Sequence, residues 1–351
     1  MAFLAEQIRS RQKAKDKLPT WVDQQALIFP PSLSVEQCSS EVTAKYKAGL
    51  VSGSHIVDLT GGMGVDTLAF AEHFAQVTYV EQNPELCERF AYNAAVFGKD
   101  VKVHCDTAEA FLVSQTLSAG TVFFIDPARR DENARKVFRF ADCTPNVVSL
   151  LDFFQEQKAT VLVKASPLID LRQGLKELSH VKEIHVVSVK NDCKEVLFLL
   201  DFSREIKGPT IHAINFATEG REVFRFTFEE ESHAQISYAP AGRYLLLPNA
   251  SILKAGAFNS VAKQLNVRKI SSNTHLYTAD ELIINFPGRQ FEIIEMPVSK
   301  KLERANVISR NYPLSPEQIL KKYGLKEGGD YYLIAYRDMH EKSQIVVAMR
   351  R

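Results

Sequence analysis

The chain has 351 residues, 45% of them hydrophobic and 24% charged, with 43 Lys+Arg against 42 Asp+Glu. That length suggests two or three domains, and the apolar fraction is ordinary for a soluble globular protein. No apolar run reaches about 18 residues, which excludes a transmembrane helix; the five cysteines (Cys38, Cys87, Cys105, Cys143, Cys193) form no C-x-x-C pair, which argues against a metal site or a disulfide framework and for a reducing cytoplasm.

Residues 1–49 read as a helical N-terminal segment. Leu4, Ile8 and Arg11 open a basic helix, Pro19 interrupts it, Pro30-Pro31 ends another segment, and Ser34-Val35-Glu36-Gln37 has capping-box form. A helix from about Glu41 to Leu50 follows. Arg9, Arg11, Lys13, Lys15 and Lys17 make the start basic, but no long apolar core or small-residue cleavage site accompanies them, so it does not read as a secretory signal.

Next comes Ile56-Val57-Asp58-Leu59-Thr60-Gly61-Gly62-Met63-Gly64-Val65-Asp66: a short apolar strand, a glycine-rich turn and a helix start. Glycines there let the backbone take positive φ and pass close to a ligand, the arrangement of a nucleotide site at the first βα crossover of an α/β sheet. Val77-Thr78-Tyr79-Val80-Glu81 is a second strand ending in an acid, able to accept both ribose hydroxyls of an adenosine. An NAD fingerprint starting at Gly62 would need Gly or Ala where Thr67 stands. A third strand, 101–105, ends in Asp106, which either touches an adenine amino group or caps the next helix. A fourth, 121–125, runs into Asp126-Pro127-Ala128-Arg129.

Strands near 56–60, 77–81, 101–105, 121–125 and 160–164 alternate with helices near Pro84–Phe97, Thr107–Gln115, Pro145–Gln157 and Leu168–Leu175, which predicts a parallel sheet with helices on both faces. A hairpin of 184–189 and 195–200 supplies an antiparallel last strand. Lys207-Gly208-Pro209 marks a boundary. Beyond it, 211–215, 223–228, 235–238, 276–277, 283–286, 291–295, 331–337 and 344–349 read as strands. Leu253 to Leu265 and Ser315 to Tyr323 read as helices, the second stopped by Gly324. This part is α+β, with two small modules at 208–284 and 285–351. Residues 50–203 hold 15 Lys+Arg against 21 Asp+Glu, whereas 204–351 hold 21 against 16. That asymmetry is either ordinary solvated surface or the footprint of an anionic polymer on the flanking parts.

The ordered series Asp58-Leu59-Thr60-Gly61-Gly62-Met63-Gly64, Glu81, Asp106 and Asp126-Pro127-Ala128-Arg129 resembles that of class I S-adenosylmethionine (SAM)-dependent methyltransferases. The turn, and Val163-Lys164 after the fifth strand, are similar to bacterial rRNA guanine-N2 methyltransferases. Ser39-Ser40-Glu41-Val42-Thr43-Ala44 is a loose match to the helix start of trimethylguanosine synthases. The whole chain, including Asp126-Pro127-Ala128-Arg129-Arg130 and Asn306-Val307-Ile308-Ser309-Arg310-Asn311-Tyr312-Pro313, resembles bacterial methyltransferases with a THUMP-like C-terminal domain.

The resemblance implies a Rossmann-like core at 50–203 with a mostly parallel seven-stranded sheet, a ferredoxin-like module at 208–284 and a THUMP-like one at 285–351. It implies SAM as cofactor, held by Asp58, Thr60, Gly61, Gly62, Gly64, Asp66, Glu81, Asp106 and Asp126. Catalysis would fall to Asp126, Pro127 and Arg129, substrate contact to Glu41, Arg129, Arg130 and Lys164, and the substrate would be RNA, a guanine amino group the expected acceptor. Arg129, Arg130, Arg135, Lys136 and Arg139 form a basic run beside the acceptor loop, and Lys300, Lys301, Lys321 and Lys322 add charge further on. The competing readings are a methyltransferase of a small molecule or protein, and a non-catalytic RNA-binding protein on the same fold. A cysteine-nucleophile route would need Cys143 or Cys193, both of which read as structural.

Overall fold

The computed structural model of the chain describes residues 2–118, 120–129, 139–298 and 302–351. Two compact units share them: residues 1–184 with 195–209, and residues 185–194 with 210–351.

The first unit opens with four helices, α1 (Ala2–Ala14), α2 (Pro19–Asp23), α3 (Ser32–Gln37) and α4 (Glu41–Ala48). The expected capping box at Ser34 is not formed. The N-cap of α3 is Pro31, three residues earlier, so Ser34 lies inside the helix. Ser40 caps α4 instead, its side chain accepting from Thr43 N at 3.2 Å.

Strands β1 (His55–Asp58), β2 (Gln76–Glu81), β3 (Lys102–Cys105), β4 (Val122–Ile125) and β5 (Thr160–Ala165) follow. They alternate with α5 (Val65–Phe70), α6 (Pro84–Val96), α7 (Ala108–Ser114) and α8 (Leu151–Glu156), and α9 (Leu171–Glu177) leads into the hairpin of β6 (Val181–Val189) and β7 (Asp192–Asp201). The strand order is β3-β2-β1-β4-β5-β7-β6. β1 runs parallel to β2 and β4, and β4 parallel to β5, while β7 is antiparallel to β5. This is the strand order that the resemblance implies, with the reversed last strand inserted beside the fifth. Ile56, Val57, Phe123, Phe124, Val161 and Leu162 are fully buried, which is why these strands read as continuous apolar runs. Two adjacent strands with connections leaving in opposite directions open a crevice at their C-terminal ends; here those strands are β1 and β4.

In the second unit, β8 (Thr210–Ala217) and β9 (Gly220–Phe226) pair antiparallel, and the 185–194 hairpin tip is tied to β8 by Lys190 N–H to Phe216 O at 2.8 Å. After α10 (Phe228–His233), a seven-stranded sheet is built from β10 (Tyr244–Pro248), β11 (Arg268–Lys269), β12 (Tyr277–Ala279), β13 (Gly288–Ile294), β14 (Arg304–Arg310), β15 (Lys326–Arg337) and β16 (Ser343–Arg350), in the order β11-β12-β10-β13-β16-β15-β14. One sheet therefore draws strands from both expected modules.

Three expectations in this unit are corrected. Residues 253–265 are two helices, α11 (Ala250–Ala255) and α12 (Phe258–Gln264), because Gly256 takes a left-handed φ of 76° and ends the first. The apolar run 283–286 is no strand: Ile284 is 88% exposed and Asn285 has φ 56°. At 235–238 only an isolated bridge from Tyr238 to Lys269 remains. Helix α13 (Pro316–Tyr323) is as expected, with a capping box at Ser315 and Gly324 left-handed at its end.

Candidate active site

The glycine turn is fixed first by packing. A Cβ on Gly61 would stand 2.1 Å from the Tyr79 ring, and one on Gly64 2.1 Å from the Phe90 ring. Tyr79 and Phe90 are stacked with centroids 3.9 Å apart, and the Tyr79 hydroxyl donates to Gly62 O at 2.7 Å. The turn thus lies on an aromatic floor that leaves no space for a side chain at two of its three glycines. Gly62 and Gly64 also have φ of 54° and 84°, which only glycine adopts at low cost. Gly62 has no atom closer than 3.8 Å to its missing Cβ, so its outer side is open to an approaching ligand.

Asp58, Glu81, Asp106 and Asp126 stand at this end of the sheet in different roles. Asp58 is fully buried and belongs to the scaffold: one oxygen accepts Thr60 N–H at 3.0 Å, the other the Thr67 hydroxyl at 2.6 Å. Burial pushes its carboxyl up to about 7; the Thr67 and Thr60 hydrogen bonds pull the other way, and the charges of Asp66 and Asp126 add to the rise. Glu81, at the end of β2, reaches back to the turn. Its Oε2 accepts Gly62 N–H at 3.0 Å and its Oε1 accepts Asn83 N–H at 2.9 Å, so two backbone donors aim the carboxylate at the crevice. Asp106 is exposed at the end of β3 and accepts Thr107 N–H at 2.8 Å. The side chain that caps α7 is that of Thr107, not Asp106. Asp126, at the end of β4, is half-buried. Its N–H donates to the Thr60 hydroxyl at 2.6 Å, and its carboxylate is ion-paired with Lys164 of β5. Burial lowers the Lys164 pKa, but Asp126, Glu195 and Asp66 more than offset this and hold it above the usual lysine range.

Asp66, expected as a cofactor ligand, is engaged by the helical segment. It is 9% exposed and accepts the Ser39 hydroxyl at 2.6 Å. Lys47, fully buried, lies 3.2 Å from Asp66 and contacts both carboxylate oxygens of Glu195 at 2.8 Å and Ser39 Oγ at 3.0 Å. A buried cluster of one lysine, two carboxylates and a serine therefore backs the site, and its charge balance consumes Asp66. Ser39, Lys47 and Glu195 carried no signal of this in the sequence; Lys47 and Glu195 are 148 positions apart.

Glu41, expected at the substrate, is tied to the helical segment. Its Oε1 accepts Thr20 N–H at 2.8 Å and the Thr20 hydroxyl at 2.6 Å, capping the start of α2. Lys164 is committed to Asp126 rather than standing as an independent contact. Pro127 is buried behind Asp126, and residues 128–129 pair with 143–144 as a two-residue ribbon. The Arg129 side chain, Arg130, Arg135, Lys136, Lys300 and Lys301 lie outside the described residues. Arg139 is exposed, with Nε 3.7 Å from Glu177. Cys143 is buried, its thiol donating to Arg139 O at 3.3 Å.

Asp58, Thr60, Gly61, Gly62, Gly64, Glu81 and Asp126 are thus brought together at the ends of three adjacent strands, with Asp106 at the end of the fourth. Residues 53–169 match the family profile of RNA cap guanine-N2 methyltransferases, residues 244–287 that of a ferredoxin-like domain, and residues 288–351 that of a THUMP-like domain. A crystal structure named "putative methyltransferase from Porphyromonas gingivalis W83" is 33% identical, with a TM-score of 0.92 over 99% of this chain and 90% of that one. The tRNA (uracil-54, C5)-methyltransferase of Pyrococcus abyssi, solved with S-adenosyl-L-homocysteine, is 15% identical over 48% of this chain and 38% of its own, with a TM-score of 0.32. An rRNA methylase from Streptococcus thermophilus is 12% identical over 47% and 98%, with a TM-score of 0.33. The last two likenesses are too weak to bear on chemistry. No curated protein matches the sequence.

Proposed function

The chain belongs to the family of methyltransferases with ferredoxin-like and THUMP-like C-terminal domains, and from that premise we propose that it uses SAM to methylate a base in RNA, with a guanine amino group as acceptor. One observation carries this reading: the open Gly62 turn, the Glu81 carboxylate aimed at it, and Asp126 tied to the same turn through Thr60 all meet at neighbouring strand ends.

The donor set suits SAM. Glu81 uses one lone pair per oxygen on backbone N–H groups, and the remaining pairs are free to accept ribose hydroxyls. Asp106 is exposed at the next strand end, where it would accept from an adenine amino group. When bound, SAM supplies an electrophilic methyl group on a sulfonium. The chain's own part is alignment and exclusion of water. Asp126 has its N–H fixed by Thr60 and its carboxylate fixed by Lys164, leaving the second oxygen to accept a hydrogen bond from an attacking N–H. Pro127 stiffens the backbone just after it. The guanine-N2 and THUMP-like matches support RNA as the substrate, and the positive balance of 204–351 supports contact with its phosphates.

Calorimetry on the full chain tests the cofactor. SAM should bind and NAD should not, and Glu81→Ala should weaken SAM by about 1–3 kcal/mol through lost charged hydrogen bonds. Labelled methyl transfer to rRNA and tRNA from a strain lacking the gene, followed by nucleoside mass spectrometry, tests the substrate. Methyl groups recovered only in protein or small molecules would refute the RNA reading.

A further inference from the structure

Two cysteines stand beside the adenosine end of the site and take no part in the chemistry proposed for it. Cys87 lies in the first turn of α6, 5% exposed, and Cys105 is the exposed last residue of β3, next to Asp106. The register brings them to one face of the sheet. β2 and β3 run parallel, with Tyr79 beside Val103 and Glu81 beside Cys105. Side chains alternate along a strand, and neighbours in register share a face. Tyr79 stacks on Phe90 of α6, so the face carrying Tyr79, Glu81, Val103 and Cys105 is the one that α6 covers. His104 points the other way, its ring centroid 5.0 Å from that of Phe111 in α7. On α6, Cys87 precedes Phe90 by one turn, so it stands on the same side of the helix and nearer the strand ends.

One backbone atom fixes their spacing. The Cys87 thiol donates to Glu81 O at 3.2 Å, and Asp106 N–H donates to the same oxygen at 3.0 Å. The buried thiol and the amide directly after Cys105 thus share an acceptor, which places the two sulfurs side by side over the end of β2. Burial pushes the Cys87 thiol up to about 12, and its hydrogen bond with Cys105 and the charges of Cys105 and Glu81 add to the rise. A thiol held protonated is a poor first nucleophile, so the exposed Cys105 is the sulfur that an oxidant meets and Cys87 the one that resolves the product.

We propose that Cys87 and Cys105 are an oxidation site, at which a peroxide joins them in a disulfide between α6 and β3 and thereby weakens the binding of SAM. With hydrogen peroxide, the Cys105 thiolate attacks one oxygen and the O–O bond breaks. The other oxygen leaves as hydroxide and takes up the proton that Cys105 gave up, forming water. The Cys87 sulfur then attacks the Cys105 sulfenic acid, its S–O bond breaks, and hydroxide leaves with the Cys87 proton as a second water. The two thiols lose two electrons and the peroxide gains them. The Cys87 S–H is consumed, so Glu81 O loses one of its two donors at the residue proposed to hold the ribose, and the strand end that carries Asp106 becomes tethered to α6. The effect on SAM rests on the reading of Glu81 and Asp106 as adenosine contacts; the disulfide does not.

The full chain, reduced and then treated with hydrogen peroxide, is alkylated and digested without reductant for mass spectrometry. A peptide pair linked through Cys87 and Cys105 is the expected product, and dithiothreitol should release it. SAM affinity measured by calorimetry should fall about three- to ten-fold on oxidation, the scale of one lost hydrogen bond, and return on reduction. Cys105→Ser, at an exposed position, should bind SAM as the reduced wild type does and show no response to peroxide. Cys193→Ser should respond as the wild type does. Cys87 recovered in alkylated form after peroxide treatment overturns the pairing. The linked pair with unaltered SAM affinity overturns the effect on the cofactor. A reduced wild type that binds no SAM overturns the cofactor reading instead, and the linked pair still decides the oxidation site.

Discussion

Lys47→Met tests whether the buried charges behind the active site act as a unit. Methionine keeps the length of the lysine stem but removes the charge. At 2.8 Å from the Glu195 carboxylate, an effective dielectric of 20 gives about 6 kcal/mol of gross attraction, much of it offset by the cost of burying the ammonium in the first place. What the variant leaves behind decides the outcome: Glu195 at 2% exposure and Asp66 at 9%, both without their cation. Breaking a buried pair on one side typically costs about 3–5 kcal/mol, or roughly 10 °C in midpoint for a unit of this size. The chain has one tryptophan, Trp21, 4% exposed and in the same unit as Lys47, so its fluorescence during urea unfolding reports on the relevant part. Lys47→Met with Glu195→Gln should recover part of the loss, since the second change removes one stranded charge. If Lys47→Met stays within about 1 kcal/mol of wild type, or the second change recovers nothing, the cluster does not act as a unit.

Asp58→Asn should change how stability depends on pH. The folded carboxyl titrates near 7 against 3.8 unfolded, so between those values the folded state keeps a proton the unfolded state has released; wild-type stability falls as pH rises through that window, by up to roughly 4 kcal/mol. The amide cannot titrate, so urea midpoints at pH 4.5 and pH 8 should show the wild type losing ground to the Asp58→Asn variant at the higher pH; a constant difference would refute this. Gly61→Ala should cost about 3 kcal/mol by overpacking Tyr79, while Gly49→Ala, with its nearest atom 3.6 Å away, serves as a near-neutral control; equal midpoints would contradict the aromatic-floor account. Asp126→Ala should leave SAM affinity near wild type by calorimetry and lower methyl transfer roughly 10²-fold; transfer at the wild-type rate would make Asp126 structural.

Much of the first unit was legible because its strands are buried on both faces and its helices start at local signals. Asn83 caps α6 and Thr107 caps α7 through hydrogen bonds to backbone only a turn away. The second unit was harder to read. Tyr244–Pro248 is a central strand buried at every position, so it shows no alternation, whereas the equally apolar run around Ile284 is an exposed turn; nothing local separates the two. At the site, the glycines and Glu81 were readable as a motif, but the reason for Gly61 and Gly64 was not, since Tyr79 and Phe90 meet them only through the fold. Asp66 and Glu41 looked like ligands because an acid near a helix start serves a ligand or a cap equally well. Their partners Lys47 and Thr20 come from other elements, and only tertiary packing chooses between the two uses.

The hydrogen bonds from Thr67 to Asp58, from Thr60 N–H to Asp58, and from Asp126 N–H to Thr60 Oγ1 run end to end. They make a strut from the first turn of α5 to the tip of β4. Its length sets the spacing between the glycine turn and Asp126, the donor and acceptor ends in the reaction proposed above. Removing either threonine hydroxyl therefore breaks the run of links between its two ends. A Thr→Val change at position 60 or 67, which keeps the shape of the side chain and deletes the link, would let the glycine turn and the tip of β4 drift apart while the sheet itself stays paired.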